Sequence, residues 1–516
     1  MSQFKKTAKS VGTIIIFSFG SKVLGFLREA LIASRYGSGT STDIFFIAFS
    51  TISLFSVVLT ETINTILIPI LSDIESNEGK NEKVNHLNNF LNTIIIFAIF
   101  VAIFAFFAAP FALQIVGKGF EGEQYKYAVL LTRIGLPILI ISSIVGVFRA
   151  YLQSEERFIE SAIADMPFNI VYIIFLIFMA QYFSITALMF AAILAEVSRL
   201  LVQIPNLKKI NYRYHYIIDL NSDYMKKMAI LIPPVLLSVG ISDLNIIVDK
   251  SMASSLVEGS ISSLNYAAIL NGIIQGVFIT AIITVIFPML SKEANAKNYE
   301  QLKKIVHLSL NILLLILIPA AIGMIVLADP AVKFAFQRGE FGEIAAMMTS
   351  SALIYYSLGL VAIGVKSFLI RVFYALKDTK TVMWNSLYTL LLNIAFNLIL
   401  IGSMGHNGLA LASSISHIIT AVILLYQLRR KIGRLGITAM LHSSMKIIGS
   451  SVIMGIFVYL LYQYSMNFLV TSRLSELLIV ILTITSGVVM YILILYLLKV
   501  KELYFLINSI KNRLKN

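Results

Sequence analysis

The sequence predicts an all-α polytopic membrane protein with about fourteen transmembrane helices. Three compositional values and one pattern lead to this fold class. Of 516 residues, 58% are hydrophobic and only 13% are charged, whereas soluble chains carry about 25% charged residues. The mean hydropathy is +0.86, and apolar stretches recur from residue 10 to residue 499. A surface with so little charge is expected to face lipid.

Fourteen apolar stretches are separated by polar or charged segments. They lie at 10–35, 44–72, 87–115, 127–153, 158–182, 184–205, 226–251, 260–290, 304–328, 345–375, 381–403, 406–428, 443–467 and 476–499. Some contain ionisable residues or proline, such as Arg133 and Pro137 in the fourth. Membrane helices tolerate such residues where they pack on protein or line a cavity.

The distribution of positive charge predicts the orientation. With a cytoplasmic N-terminus, and with charges at the span ends counted with the adjoining segments, the inside segments hold 26 Lys and Arg, the outside segments hold six, and nine of the 41 lie within spans. Positive charge concentrates on the cytoplasmic side of membrane proteins. Both termini are therefore predicted to be cytoplasmic, and the net charge of +14 does not indicate a nucleic-acid partner.

A weak internal repeat predicts two halves. The segment SKVLGFLREALIAS at 21–34 aligns with SDLNIIVDKSMASS at 242–255, which places Arg28 on Asp249 and Glu29 on Lys250. Parallel repeats are a design of transporters. We therefore expect an N-lobe over 1–222, a C-lobe over 223–435, and a further helix pair with a cytoplasmic tail over 436–516.

Ionisable residues within the spans are the first candidates for function, because each is costly in lipid and normally faces a wet cavity or a partner. A functional role is favoured for Arg28, Glu29, Glu61 and Asp249, with Arg28 as the first candidate for a pyrophosphate contact and Lys22 as a second positive charge. Arginine suits an anionic substrate, since its planar fork matches phosphate oxygens. Elsewhere, Glu196 and Arg199 have the spacing of a structural ion pair.

A second group carries neutral oxygen atoms. Asn393 and Asn397 lie one turn apart, Ser413 lies in the next span, and Asp249 supplies a carboxylate. These oxygens suit a small hard cation. The spacing alone favours a different role, hydrogen bonding between helices.

Enzyme signatures are weak in this sequence. No HExxH, GxSxG or P-loop pattern occurs, and the absence of cysteine excludes disulfides and thiolate metal sites. We therefore predict a non-enzyme without an organic cofactor.

Four segments carry a resemblance to a known family. SKVLGFLREALIASRYGSGTSTDIFFIAF at 21–49 resembles the opening signature of the MurJ (MviN) lipid II flippases. FQRGEF at 336–341, RVFYALKDTKT at 371–381 and GHNGLALASSIS at 405–416 resemble three more of its motifs. The four segments span both predicted lobes, so the resemblance covers essentially the whole chain.

The resemblance implies a member of the multidrug/oligosaccharidyl-lipid/polysaccharide exporter superfamily in the bacterial inner membrane. It implies a protein that moves lipid II, the undecaprenyl-pyrophosphate-linked peptidoglycan precursor, outward by alternating access for cell wall biogenesis. We also predict that the chain is a monomer. The resemblance also implies that Arg28, Lys22, Glu29, Glu61 and Asp43 serve the substrate. Asp249, Asn393, Asn397 and Ser413 match a sodium site, and the last two helices match a groove for the polyprenyl tail.

Two cavity arginines of the family have no counterpart here. The helix 2 position falls on Ser56 or Val57, and the helix 8 position falls near Ile269. Two alternatives therefore remain open. One is a flippase for another lipid-linked saccharide, such as a capsular, O-antigen or teichoic-acid-like precursor. The other is a cation-coupled small-molecule exporter.

Overall fold

The all-α prediction is confirmed by a computed structural model. The residues it describes, 2–433, 437–469, 472–500 and 502–504, form helices joined by turns and loops, with no strand among them. The chain divides into two compact units, Met1–Ser262 with Arg338–Gly342 and Ser263–Gln337 with Glu343–Asn516. This division follows spatial contacts, whereas the predicted lobes follow the repeat. The lobe boundaries therefore stay predictions.

Nine helices lie in the described part of the first unit. They are α1 (Ser2–Tyr36), α2 (Thr40–Glu78), α3 (Lys80–Val116), α4 (Gly122–Gly135), α5 (Pro137–Ser154), α6 (Phe158–Ile163), α7 (Asp165–Phe178), α8 (Ile185–Lys209) and α9 (Asp223–Ala253).

The remaining helices belong mainly to the second unit. They are α10 (Ser260–Ile274), a π-helical turn (Gln275–Ile279), α11 (Thr280–Asn295), α12 (Tyr299–Val326), α13 (Ala328–Phe336), α14 (Glu343–Leu358), α15 (Leu360–Ala375), α16 (Thr379–Met404), α17 (His406–Ile432), α18 (Ile437–Leu469) and α19 (Arg473–Leu497).

Several predicted spans are broken helices, and the breaks have local causes. Helices α4 and α5 meet at Pro137, which cannot donate the backbone hydrogen bond of a continuous helix. Helices α14 and α15 bend by 47° around Gly359. A Cβ at Gly359 would lie 2.6 Å from Ser414 Oγ and 2.8 Å from Ser414 Cα. Only glycine therefore lets α17 approach this bend so closely.

The described helices support a multi-pass membrane protein but leave the predicted count of fourteen unconfirmed. Eleven are long and apolar enough to cross a bilayer when short breaks are bridged, and the bent pair α14–α15 makes a twelfth. Helices α1 and α9 occupy the first and seventh predicted spans but are not among these twelve.

The core of the first unit forms where α2, α3 and α5 pack together. Leu71, Leu87, Phe90, Val147 and Tyr151 are completely buried there. Burial of one such side chain contributes about 1.5–3 kcal/mol. The apolar side chains that mark these helices as membrane spans therefore also hold them to each other.

A fully buried lysine lies at the start of α3. Lys83 Nζ is 2.6 Å from Glu75 Oε2 and 2.7 Å from Glu155 Oε1. Burial alone would raise the pKa of Glu155, but hydrogen bonds from Lys83 and Lys80 hold that pKa below its ordinary value. The ammonium is thus compensated by carboxylates, as a buried charge requires.

The segment between α8 and α9 is fixed along α3 by three buried asparagines. Asn88 Nδ2 donates to the carbonyl oxygen of Arg213 at 3.0 Å, and Asn92 Nδ2 donates to that of Ile217 at 3.0 Å. Asn89 bonds the backbone of Asp219 in both directions, at 2.8 and 2.7 Å. Their amides satisfy backbone groups that have no partner within a sheet or a helix. This connection is therefore anchored along α3.

The second unit has its own cores. Leu310, Leu317 and Phe368 are at most 2% exposed where α12 packs against α15. Helices α18 and α19 cover another side of α12, and Tyr491 OH donates a hydrogen bond to the carbonyl oxygen of Leu315 at 2.8 Å. The predicted last helix pair is thus packed on the rest of its unit.

Candidate functional site

A charged cluster lies between α1 and α7 in the first unit. Arg28 Nη2 is 2.5 Å from Glu29 Oε1, and Arg28 Nη1 donates to Asn169 Oδ1 at 3.2 Å. The guanidinium lies 5.2 Å from the ring centroid of Tyr172 and 5.5 Å from that of Phe168. The Arg28 side chain is 19% exposed. The positive charge is therefore held in place and still accessible.

Two further arginines adjoin this cluster. Asp165 Oδ1 lies 2.6 Å from Arg149 Nη2 and 3.2 Å from Arg199 Nη2. The predicted Glu196–Arg199 ion pair is confirmed, with Arg199 Nη1 3.0 Å from Glu196 Oε2. The Arg199 guanidinium lies 4.2 Å from the ring centroid of Phe168, the ring that the first cluster also contacts. One aromatic ring thus links the two groups of charges.

The network balances its own charge. Three guanidinium groups face three carboxylates, and both Glu29 and Glu196 are buried. An anion that binds Arg28 must therefore compete with Glu29 for the same N–H donors. A site of this kind can hold its charges without a ligand and release a donor when a phosphate arrives.

Two other predicted substrate-binding residues are not buried. Lys22 on α1 and Glu61 on α2 are exposed. The structure therefore brings Arg28 and Glu29 together, while the roles of Lys22 and Glu61 stay predictions.

Lys250 on α9 also belongs to the charged region of the first unit. Its Nζ donates a hydrogen bond to Ser50 Oγ on α2 and lies 5.6 Å from the ring centroid of Phe46. It interacts electrostatically with Glu29 and Asp43. Lys250 was absent from the predicted site, although the repeat alignment placed it opposite Glu29 with inverted charge.

Asp43 makes a reciprocal pair of caps with the segment before α10. Its Oδ2 accepts from the backbone N–H of Gly259 at 2.9 Å, and its Oδ1 accepts from that of Ser262 at 2.8 Å. In return, Glu258 Oε1 accepts from the backbone N–H of Thr40 at 2.7 Å. Hydrogen bonds from Thr40 hold the pKa of the Glu258 carboxyl below its ordinary value. The Asp43 carboxylate thus caps the N-terminus of α10, and the Glu258 carboxylate caps the N-terminus of α2.

This geometry gives Asp43 a capping role. The carboxylate is 4% exposed, and both of its oxygens accept backbone hydrogen bonds. Its predicted contact with substrate stays a prediction.

Four segments of the first unit, all predicted on the outer side, meet around these caps. We call them the loop seal, and they are residues 34–39, 117–120, 254–259 and 338–342. Within the loop seal, Ser38 Oγ donates to the carbonyl oxygen of Gly259 at 3.2 Å. The backbone N–H of Gly119 donates to Ser254 Oγ at 3.0 Å. Short polar contacts therefore close this end of the unit.

Glycines permit the close approach in the loop seal. A Cβ on Gly119 would lie 1.9 Å from the carbonyl oxygen of Ser254. Gly339 has φ +60°, and a Cβ there would lie 2.1 Å from the carbonyl oxygen of Ser34. The backbone N–H of Glu340 donates to that same oxygen at 2.9 Å. A larger residue at Gly119 would push its backbone away from that of Ser254, and one at Gly339 would push its backbone away from that of Ser34.

The predicted cation ligands are divided between the units. Asn393, Asn397 and Ser413 lie in the second unit, and Asp249 lies in the first. Asn397 Nδ2 donates to Asn393 Oδ1, and Asn393 Nδ2 donates to Ser413 Oγ, both at 3.1 Å. The first of these bonds lies within α16, and the second joins α16 to α17 in the interhelical role that the spacing favoured. The cation site stays a prediction.

A positive charge adjoins these amides. Lys366 Nζ on α15 donates to Thr389 Oγ1 at 2.6 Å. Thr389 lies one helical turn before Asn393 on the same face of α16. The ammonium therefore disfavours a second cation close to this face, and three neutral ligands do little to offset it.

The second unit also contains an apolar cavity of about 500 Å³. Its walls come mainly from α12, α18 and α19, with Pro319, Gly323, Val458, Gly487 and Leu503 among the lining residues. A Cβ on Gly323 would meet no atom within 4 Å. The cavity lies on the helix pair for which the resemblance implies a polyprenyl groove, and its lining suits a hydrocarbon chain.

Known proteins share this fold along most of its length. The family model "Lipid II flippase MurJ" matches residues 32–497. A probable lipid II flippase MurJ of Rickettsia prowazekii is 28% identical over 496 residues, covering 95% of this chain and 97% of the relative.

Solved structures agree with these sequence matches. A structure of lipid II flippase MurJ in an inward closed conformation superposes with a TM-score of 0.78 at 25% identity, covering 93% of this chain and 97% of that one. An inward-facing multidrug MATE transporter of the MOP superfamily shares the fold, with a TM-score of 0.65 at 18% identity and coverage of 82% and 95%. With a family model matched over nearly its whole length, this chain belongs to the MurJ lipid II flippase family.

Proposed function

We propose that this chain moves lipid II from the inner to the outer leaflet of the bacterial cytoplasmic membrane by alternating access. The match to the MurJ family over residues 32–497 carries this proposal. The physical problem is that a charged saccharide headgroup cannot cross hydrocarbon unaided, whereas its polyprenyl tail need never leave it. A flippase therefore needs a polar site for the headgroup and an apolar path for the tail.

Arg28 is the proposed contact for the pyrophosphate. Its guanidinium is oriented by Asn169 and two aromatic rings, and it is partly exposed. Two phosphate oxygens can accept its parallel N–H groups in place of Glu29. Lys22 adds a second positive charge on α1, and Glu29, Glu61 and Asp43 complete the proposed headgroup region.

The tail is proposed to lie along α18 and α19. The apolar cavity of about 500 Å³ supports this assignment, because a polyprenyl chain requires a long surface without polar groups. No bond between tail and protein has to break while the headgroup moves.

The loop seal supplies the outer closure of the proposed cycle. Its reciprocal caps and glycine contacts hold one end of the first unit shut. Release of the headgroup outside requires these contacts to separate, and their return resets the inward-accessible state. We place both termini in the cytoplasm, because of the excess of positive charge on that side, and we take the functional unit to be a monomer.

Sodium is proposed as a weak coupling ion. Asp249, Asn393, Asn397 and Ser413 supply oxygen ligands of the type that sodium accepts, but only one of them is a carboxylate. The hydrogen bonds within the trio and the nearby Lys366 argue that the affinity is low.

Replacing Asn397 with aspartate is expected to strengthen the response to sodium. A carboxylate adds a charged ligand worth about 1.5–3 kcal/mol, so the sodium concentration for half-maximal thermal stabilisation should fall about tenfold or more. Thermal unfolding of the purified chain in sodium and potassium buffers measures this shift. Asn385→Asp is the matched control, since Asn385 is buried on α16 but bonds Thr381 and Gln427. Equal sodium responses in both variants would contradict the site.

A complementation experiment tests the flippase itself. Expression of the chain in a bacterium depleted of its own lipid II flippase should restore growth, and labelled lipid II should reach the outer leaflet of spheroplasts. The missing arginines at Ser56 or Val57 and near Ile269 favour one competitor, a flippase for another lipid-linked saccharide. Failure to restore growth at normal membrane abundance, with rescue of a strain lacking a capsular-precursor flippase, would establish that competitor instead.

A further inference from the structure

An open cavity of about 430 Å³ lies within the second unit, apart from the apolar cavity. One wall comes from α10, the π-helical turn and α11, and the other comes from α15. Its lining includes Gln275 and Thr280 on the first wall and Ser367 and Arg371 on the second. Polar side chains from two separate elements therefore converge on one space.

Arg371 has no protein counter-charge. Among the residues that the structure describes, it forms no ion pair and no side-chain hydrogen bond. Its guanidinium carbon lies 5.9 Å from the ring centroid of Tyr374. The residue is exposed, and arginine remains charged in proteins, so its guanidinium is a permanent positive charge that a ligand in the open cavity can reach. Five N–H donors are thus available to a ligand.

The opposite wall leaves room for such a ligand. Gly272 has no side chain, and a Cβ there would meet no atom within 4 Å. The π-helical turn Gln275–Ile279 widens the helix at the same height, as such turns often do at functional sites. The cavity combines a fixed positive charge, hydroxyl and amide groups, and open space.

We propose that this cavity binds the phosphate or pyrophosphate group of a lipid anion, with Arg371 as its bidentate ligand. This inference rests on the proposed function and assigns a phosphate-binding residue to the second unit. Hydroxyl groups of Ser367 and Thr280 are suited to donate to the remaining phosphate oxygens. The same chemistry is offered by a pyrophosphate-linked substrate and by a bulk anionic phospholipid, so the experiment must separate these two sources.

The test uses the full chain in nanodiscs of zwitterionic lipid. Binding of undecaprenyl pyrophosphate is measured for the unaltered chain, Arg371→Ala and Arg371→Lys, with phosphatidylglycerol as competitor. Arg430→Ala is the matched control, because Arg430 is exposed in the same unit and lies 4.7 Å from the ring centroid of Tyr426. Loss of a charge-assisted hydrogen-bonded pair should weaken binding of the pyrophosphate about tenfold or more in Arg371→Ala.

The expected pattern has three parts. Arg371→Lys keeps the charge but loses the fork, so its affinity should fall between those of the unaltered chain and Arg371→Ala. Arg430→Ala should bind within about twofold of the unaltered chain, as surface substitutions usually do. Phosphatidylglycerol should compete only weakly with undecaprenyl pyrophosphate for binding to the unaltered chain.

The outcomes that overturn the inference are distinct from failure of the function. Unchanged binding in Arg371→Ala, in a chain that restores growth, removes this subsite and leaves the flippase standing. If phosphatidylglycerol displaces undecaprenyl pyrophosphate as effectively as unlabelled undecaprenyl pyrophosphate does, Arg371 binds bulk anionic lipid and not the substrate. An unaltered chain that neither binds the pyrophosphate nor restores growth overturns both proposals.

Discussion

Cells that depend on this chain for lipid II flipping are expected to stop growing when Arg28 is replaced by alanine. The substitution removes the guanidinium that Asn169 and the rings of Phe168 and Tyr172 hold in position. Two charge-assisted bonds to a phosphate are worth about 1.5–3 kcal/mol each, so transport should fall at least about 100-fold. Growth on depletion of the host flippase and labelled lipid II transport measure the loss.

Stability must be separated from transport in this experiment. Arg28→Ala leaves Glu29 buried without its ion-pair partner, which can itself destabilise the unit. The double variant Arg28→Gln with Glu29→Gln removes both charges and should retain normal abundance while remaining inactive. Arg133→Ala is the matched control, since Arg133 bonds the carbonyl oxygen of Phe106 and stacks on its ring away from the cluster. Growth supported by Arg28→Ala would remove Arg28 from the site.

Replacing Gly119 with alanine is expected to open the loop seal. The new Cβ would lie 1.9 Å from the oxygen and 2.3 Å from the carbon of the Ser254 carbonyl, a distance that only backbone movement can relieve. Loss of the seal exposes the outer end of α10, where Ser262 is completely buried. Because the chain contains no cysteine, a single Ser262→Cys substitution provides a clean reporter.

Labelling of that reporter by a membrane-impermeant thiol reagent in intact cells gives the measurement. Its rate should rise about tenfold or more in Gly119→Ala, since each shift of about 1.4 kcal/mol in favour of the open state raises the ratio of open to closed state tenfold. Gly342→Ala is the matched control in the same seal, because a Cβ on Gly342 would meet no atom within 4 Å. Equal labelling in the two variants would show that Gly119 does not control the closure.

The helical framework was predictable because its determinants are local. Apolar length located the spans. The helix α9, predicted at 226–251, is observed at Asp223–Ala253, whereas α1 and α3 begin at Ser2 and Lys80, well before their predicted starts at 10 and 87. Helix α13 and the π-helical turn were not predicted, since short elements carry too few residues for a distinct pattern. The bend at Gly359 depends on the approach of α17, which no local pattern records.

The site was predictable only where charge stands out against an apolar background. Arg28 and Glu29 were identified because ionisable residues are rare within membrane helices. Asn169, Phe168 and Tyr172 were missed, since amides and aromatic rings are ordinary in such helices. The partners of Asp43 were also missed, because its caps depend on a loop more than 200 residues away in the sequence.

The asparagine-bound connection before α9 acts as a short tether. Asn89 secures the backbone at Asp219, and α9 begins at Asp223. Four fully extended residues reach at most about 14 Å. While the hydrogen bonds between Asn89 and Asp219 persist, the start of α9 cannot move farther than this distance from its attachment point on α3. This limit allows α9 to tilt about a point near its start, but it does not allow α9 to slide across the thickness of a bilayer.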